Sequence, residues 1–188
     1  MFENLCAAYG MGPDGFEYEM AASPAGLEEV AARLTSRERA QVLYLGCHGD
    51  ETGELVFHSG ERLSPNRLAD LLAACGPSLR GLYLGACFAG RRRLARRAFD
   101  RCPQLRWVAG YRQEVDFVDS SLLDVMFFNR WLNSEAQGLR RVEEVVRDLA
   151  RQMPGLLASQ SGGLGFKVHA KGRDGEVREL VREAIRGD

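Results

Sequence analysis

Two stretches of the chain are apolar without interruption and of strand length, Gln41–Gly46 (Q-V-L-Y-L-G) and Gly81–Ala86 (G-L-Y-L-G-A). A run that does not alternate with polar residues suits a strand covered on both faces, so both are predicted as central parallel strands. Arg106–Gly110 predicts a third strand, and Phe16–Ala21 a short one near the start. Helical spacing fills the intervals. Leu27, Val30, Ala31 and Leu34 follow Ser23-Pro24, a start signal with proline in the first turn. A hairpin (Glu54–His58, Ser59-Gly60, Arg62-Leu63) and a helix over Asn66–Ala74, opened by Ser64-Pro65, join the two apolar strands through a connection long enough for a parallel crossover. Further helices are predicted over Arg91–Arg101, over Ser121–Leu132 with Asp119 or Ser120 as cap, and from Leu139 to Met153, where Pro154-Gly155 ends the pattern. A glycine-rich turn (Ser161–Gly165), an edge strand (Phe166–Ala170) and a charged helix (Glu176–Arg186) close the chain. With no linker, internal repeat or low-complexity tract, residues 1–188 read as one three-layer α/β domain with a mostly parallel central sheet.

Composition narrows the function. At 188 residues and 45% hydrophobic content, one core suffices, burying about 70% of the unfolded surface. Twenty-five basic against 26 acidic residues leave a net charge of −1, so no global field calls for nucleic acid or a membrane surface as partner. Twenty-three of the basic residues are arginine, read as the base composition of a GC-rich bacterial genome. Arg91, Arg92, Arg93, Arg96 and Arg97 make a basic helix without interleaved aromatics, a solvated face or a contact for an acidic partner. No apolar run reaches the roughly 18 residues that span a bilayer, and Met1-Phe2-Glu3-Asn4 does not resemble a signal peptide, so the expected location is cytoplasmic. Cys6, Cys47, Cys75, Cys87 and Cys102 lie singly, without a CxxC pair; reduced thiols are expected, and neither a metal nor an organic cofactor. Gly162-Gly163-Leu164-Gly165 lacks the ending of a phosphate loop.

The candidate chemistry sits where the two apolar strands end. One runs into Gly46-Cys47-His48-Gly49-Asp50, the other into Gly85-Ala86-Cys87-Phe88-Ala89-Gly90. Ligand crevices of open α/β sheets lie beyond the carboxyl ends of the strands, which brings His48 and Cys87 to one lip. A thiolate is a nucleophile, and a neighbouring imidazole can hold it ionised and then protonate a leaving amine. Gly49 lets the main chain approach closely, so the Gly49 and Cys87 N–H groups could bind an oxyanion. Cys47 is expected to face the other way and pack inward. Asp50 and Glu51 could orient His48, while His58 and His169 read as structural residues of strands.

These residues carry a resemblance. L-Y-L-G-C-H-G-D (43–50) and L-Y-L-G-A-C-F-A-G (82–90) resemble the caspase-like cysteine peptidases, the group of caspases, metacaspases, legumain, gingipains, separase and bacterial CHAT domains. V-A-G-Y-R-Q-E-V-D-F-V-D-S-S (108–121) is most similar to the CHAT branch. The resemblance implies a caspase-like α/β/α sandwich; no first family strand is found before Phe16, where Phe2–Tyr9 has helix-like spacing instead, so the expectation is either a domain shortened at its N-terminal part or a chain that starts late. It implies a cysteine endopeptidase with His48 as general base and acid and Cys87 as nucleophile. The implied role is limited proteolysis of a protein or peptide partner in bacterial cell death or phage defence. Gly85 stands where caspases carry a substrate-binding glutamine, and Phe88 follows the cysteine, so aspartate specificity is not expected. Asp116 is either a pocket carboxylate selecting Arg or Lys or a solvated loop acid; Asp119 is a helix cap or a second pocket acid. An apolar pocket lined by Phe88 and Phe117 competes with the basic preference. Asn133–Arg141 is read as an exposed loop with Arg140-Arg141 as candidate self-cleavage sites. Two other functions compete: a non-catalytic CHAT-like binding module, and a cysteine-dependent esterase or acyltransferase.

Overall fold

The computed structural model describes residues 2–12, 15–36, 41–159 and 162–187. Two helices come first, α1 (Phe2–Ala8) and α2 (Pro24–Thr35). Ser23 caps α2: its extended backbone lets the hydroxyl accept the Gly26 N–H at 3.2 Å, and Pro24 occupies the first turn, where no N–H donor is needed. Next, β1 (Val42–Gly46) runs into the short strand β2 (His48–Gly49). That strand pairs antiparallel with β3 (Leu55–Val56), and β4 (Arg62–Leu63) completes a three-stranded side sheet. Ser64 caps α3 (Pro65–Ala73) by the same device. After it come β5 (Gly81–Gly85), α4 (Arg92–Arg101), β6 (Trp107–Tyr111), α5 (Phe117–Asn133), α6 (Gly138–Gln152) and the short α7 (Pro154–Leu157). The chain ends through β7 (Phe166–Lys171), β8 (Val177–Glu179) and α8 (Leu180–Arg186).

The main sheet has the order β1-β5-β6-β7-β8; the first three strands are parallel, and β7 and β8 run antiparallel to their neighbours. Period-two alternation splits the core in two. Leu43, Leu45, Leu82, Leu84 and Val108 pack with Leu27, Leu68, Leu72, Leu94 and Phe99 of α2, α3 and α4. Tyr83, Trp107, Ala109 and Tyr111 face the other side, with Leu123, Phe127, Val142, Val146 and Leu149 of α5 and α6. The protein is therefore mixed α/β, with helices on both faces of a five-stranded, partly parallel sheet.

Several expectations from the sequence need correction. Phe16–Ala21 forms no strand: Tyr18 and Met20 face solvent at 71% and 82% exposure, so the alternation has no partner strand to satisfy. Among the described residues β1 is an edge strand rather than a central one, and β7 is internal rather than an edge, because Val177–Glu179 adds β8 outside it before the last helix starts. The segment 133–141 is mostly helical; only residues 134–137 separate α5 from α6, and Arg140 and Arg141 lie in the first turn of α6. Arg141 donates to the Ala136 carbonyl at 2.7 Å and stacks over Trp131. His58 sits in the exposed β3–β4 turn rather than in a strand. Of the glycine-rich turn, Ser161 lies outside the described residues.

Candidate active site

Parallel pairing sets the two cassettes level. Leu43 lies beside Leu82, Tyr44 beside Tyr83 and Gly46 beside Gly85, and the Cys47 N–H continues the ladder to the Gly85 carbonyl at 3.3 Å. Beyond that point the chains meet again. A Cβ on Gly49 would lie 2.0 Å from the Cys87 carbonyl oxygen and 3.3 Å from the Cys87 nitrogen, so only glycine permits this approach. The contact brings the His48-Gly49 step against Cys87.

It also leaves two donors unused. Hydrogen-bonded and non-hydrogen-bonded pairs alternate along an antiparallel ladder. The Asp50 N–H donates to the Glu54 carbonyl at 3.1 Å, so the next pair, Gly49 with Leu55, is non-hydrogen-bonded and the Gly49 N–H turns away from β3. Outside the strand ladders neither that N–H nor the Cys87 N–H donates to a main-chain acceptor among the described residues. His48 is exposed, and its ring makes no hydrogen bond or ion pair there. The Cys87 thiol is free and half-buried, its one hydrogen-bond acceptor among the described residues being the Val115 carbonyl at 4.0 Å. Neither side chain is committed to holding the fold.

The turn that carries Cys87 is strained. Phe88 has φ +59°, the one non-glycine residue with positive φ among those described, a left-handed conformation that costs about 1–2 kcal/mol. Its N–H donates to the Gln113 carbonyl at 3.3 Å, and the Gly90 N–H donates to the Tyr111 carbonyl at 2.7 Å. A Cβ on Gly90 would meet the Gly110 carbonyl oxygen at 2.4 Å, so the turn is pressed against β6. Strain held in place by its surroundings is a recurrent feature of functional sites.

The expected accessory residues separate. Asp50 does not serve His48: its carboxylate accepts the Thr52 and Glu54 N–H groups at 2.9 and 3.1 Å and pairs with Arg62, and the Thr52 hydroxyl above all holds its pKa below the usual range. Asp116, not Asp119 or Ser120, caps α5, its Oδ1 accepting the Val118 and Asp119 N–H groups at 2.7 and 3.1 Å. The helix therefore starts four residues earlier than its apolar spacing predicts. Asp116, Phe117 and Asp119 are exposed at this helix start, which follows the Val115 carbonyl that faces Cys87. Phe88 turns instead toward Arg91, whose guanidinium lies 5.6 Å from its ring centre. Cys47 packs against the core as expected, and burial pushes its thiol up to about 12.

One cluster escapes the sequence pattern. Beneath Gly85, the buried Asp124 of α5 accepts hydroxyls from Tyr44 at 2.7 Å, Tyr83 at 2.6 Å and Tyr111 at 2.5 Å, one from each of the three parallel strands. A Cβ on Gly85 would stand 2.4 Å from the Tyr44 hydroxyl and 3.3 Å from Asp124 Oδ2. Burial raises the Asp124 pKa while the three hydroxyls oppose the rise, and burial raises all three tyrosines. The signal in the sequence was a tyrosine at the same register in both L-Y-L-G runs and one acid inside an apolar helix.

On the far side of the turn, His169 of β7 is 4% exposed, with Nε2 3.2 Å from the Gly90 carbonyl. Burial first, then Arg92 and Lys167, lower its pKa to about 4. Between pH 6.5 and 4 the unfolded chain therefore binds the extra proton, and stability falls on acidification by up to about 1.4 kcal/mol per pH unit. Asp124, with a raised carboxyl pKa, contributes a slope of opposite sign. The difference between wild type and His169→Gln isolates the histidine: the variant's thermal midpoint should fall less steeply over this window, as followed by circular dichroism.

Compared with protein-family models and with curated proteins, the chain matches neither. Among the described residues no helix is long and apolar enough to cross a membrane.

Proposed function

We propose that this chain is a cysteine endopeptidase on a caspase-like α/β/α sandwich, closest to the bacterial CHAT type, with a Cys87–His48 dyad. The observation that carries the reading is the main-chain contact of Gly49 with Cys87, which leaves two unused N–H donors beside a free, half-buried thiol. Cys87 Sγ attacks the scissile carbonyl as His48 takes up its proton. The Gly49 and Cys87 N–H groups hold the oxyanion that forms, and His48 then protonates the amine as the C–N bond breaks and a thioester remains. Water, deprotonated by the same imidazole, hydrolyses the thioester and frees the thiol. The substrate is a protein or peptide cut at a limited site, and the biological setting proposed is bacterial cell death or phage defence, inside the cytoplasm.

A peptide acyloxymethyl ketone tests this. Intact-mass spectrometry should find one adduct, mapped to Cys87, which His48→Ala slows by at least about 100-fold, within the range typical of a general base. An unmodified protein that still binds the peptide would favour a non-catalytic module, and turnover of esters with no turnover of amides would favour an acyltransferase or esterase.

A further inference from the structure

A small pocket of about 90 Å³ lies beside the residue after the candidate nucleophile, lined by Thr52, Gly53, Phe88 and three arginines, Arg91 at the N-cap of α4 and Arg93 and Arg97 in its first two turns. Its walls come from separate parts of the chain. Gly53 (φ +85°) turns the β2–β3 loop so that a Cβ there would lie 3.8 Å from the Phe88 carbonyl oxygen and 3.9 Å from Arg91 Cδ. Phe88, held at positive φ, lies under the Arg91 guanidinium.

Among the described residues the charge of this pocket is uncompensated. Asp50 and Glu54 are taken by Arg62, Asp70 by Arg101 at 3.4 Å, and Glu51 meets Arg91 through its main-chain carbonyl at 2.5 Å. Among the described residues no carboxylate forms an ion pair with Arg91, Arg93 or Arg97. Arg97 is half-buried, so its charge is only partly screened by water. A concave site with three guanidinium groups and no acid of its own suits a carboxylate, which a planar guanidinium binds through paired N–H donors. The volume admits one such group.

We propose that this pocket binds an acidic side chain, Asp or Glu, of the substrate polypeptide, a few residues from the bond that Cys87 attacks. The proposal rests on the peptidase reading for its substrate, and its test does not use cleavage. Phe88 belongs both to this pocket and to the turn that carries Cys87, so the pocket is one residue along the chain from the candidate nucleophile. The arginine-rich helix start thus selects substrate by charge rather than serving only as a solvated face.

Two fluorescent peptides differing only in Glu against Gln, arranged in a library that moves this residue through successive positions, are titrated by anisotropy into the full-length Cys87→Ala protein. At one position the acidic peptide should bind roughly tenfold tighter. Arg93→Glu/Arg97→Glu should remove that preference, whereas Arg96→Glu/Arg151→Glu, the same change of net charge at exposed positions outside the pocket, should keep it. Circular dichroism establishes that each variant is folded. Equal affinity for Glu and Gln peptides at every position overturns the proposal, and so does equal loss in both double variants, which would mean a general field. If Cys87 proves unreactive but the charge preference and its loss are seen, the peptidase reading fails and the anion site stands.

Discussion

Gly49→Ala is expected to cut proteolysis by at least about 100-fold, the scale set by losing one oxyanion donor or displacing reacting groups by about 1 Å. The added methyl would stand 2.0 Å from the Cys87 carbonyl oxygen, a main-chain atom that cannot swing aside, so β2 must move off the Cys87 turn. That shift separates the two N–H donors and carries His48 with it. Stability should change far less, because β2 is two residues long and forms no part of the main sheet. Gly155→Ala, at a position where a methyl meets nothing within 4 Å, is the matched control and should keep full activity. Comparing initial rates on one fluorogenic peptide, with thermal midpoints alongside, checks both halves. A Gly49→Ala protein with more than half the wild-type rate would mean that the close approach plays no part in the chemistry.

Asp124→Ala should give the largest loss of stability among single substitutions near the site. It leaves three tyrosine hydroxyls without their shared acceptor: Tyr111 keeps the Ser120 carbonyl at 3.0 Å, Tyr83 keeps only the long contact to the Tyr111 hydroxyl at 3.4 Å, and Tyr44 keeps none among the described residues. An orphaned buried hydroxyl costs about 1–3 kcal/mol, so a loss of about 3 kcal/mol or more is expected. Urea unfolding should show it as a lower midpoint at unchanged slope. Asp124→Asn, which keeps one acceptor oxygen, should lose less. Equal stability of Asp124→Ala and wild type would show that the hydroxyls are satisfied by water.

How far the sequence foretold this arrangement depends on the range of the forces involved. Ser23-Pro24 and Ser64-Pro65 start their helices because capping is settled within four residues. The L-Y-L-G runs form neighbouring parallel strands, and the Gly49 main chain meets that of Cys87 at their ends, because strand burial and strand length are both written locally. Edge or central position is not local: β1 is as apolar as β5, yet among the described residues it lies outermost in the sheet. The same holds for Asp116, whose role as cap depended on where α5 begins. The role of Asp124 was only hinted at, by the matched tyrosines and one acid in an apolar helix, because its three partners come from residues 44, 83 and 111, gathered only when the sheet is assembled. The arginines of α4 looked like solvated charge until the β2–β3 loop and Phe88 closed a pocket around three of them.

Alkylation of the five thiols with iodoacetamide at pH 6, mapped by mass spectrometry, is the most direct test of the dyad. Burial pushes the thiols of Cys6, Cys47, Cys75 and Cys102 up, that of Cys47 to about 12, so these four should react slowly. Cys87, if ion-paired with the His48 imidazole, should be labelled well before any of them, and His48→Ala should erase its lead. Labelling of Cys87 at the rate of the other four, or at the same rate with and without His48, would contradict a Cys87–His48 dyad.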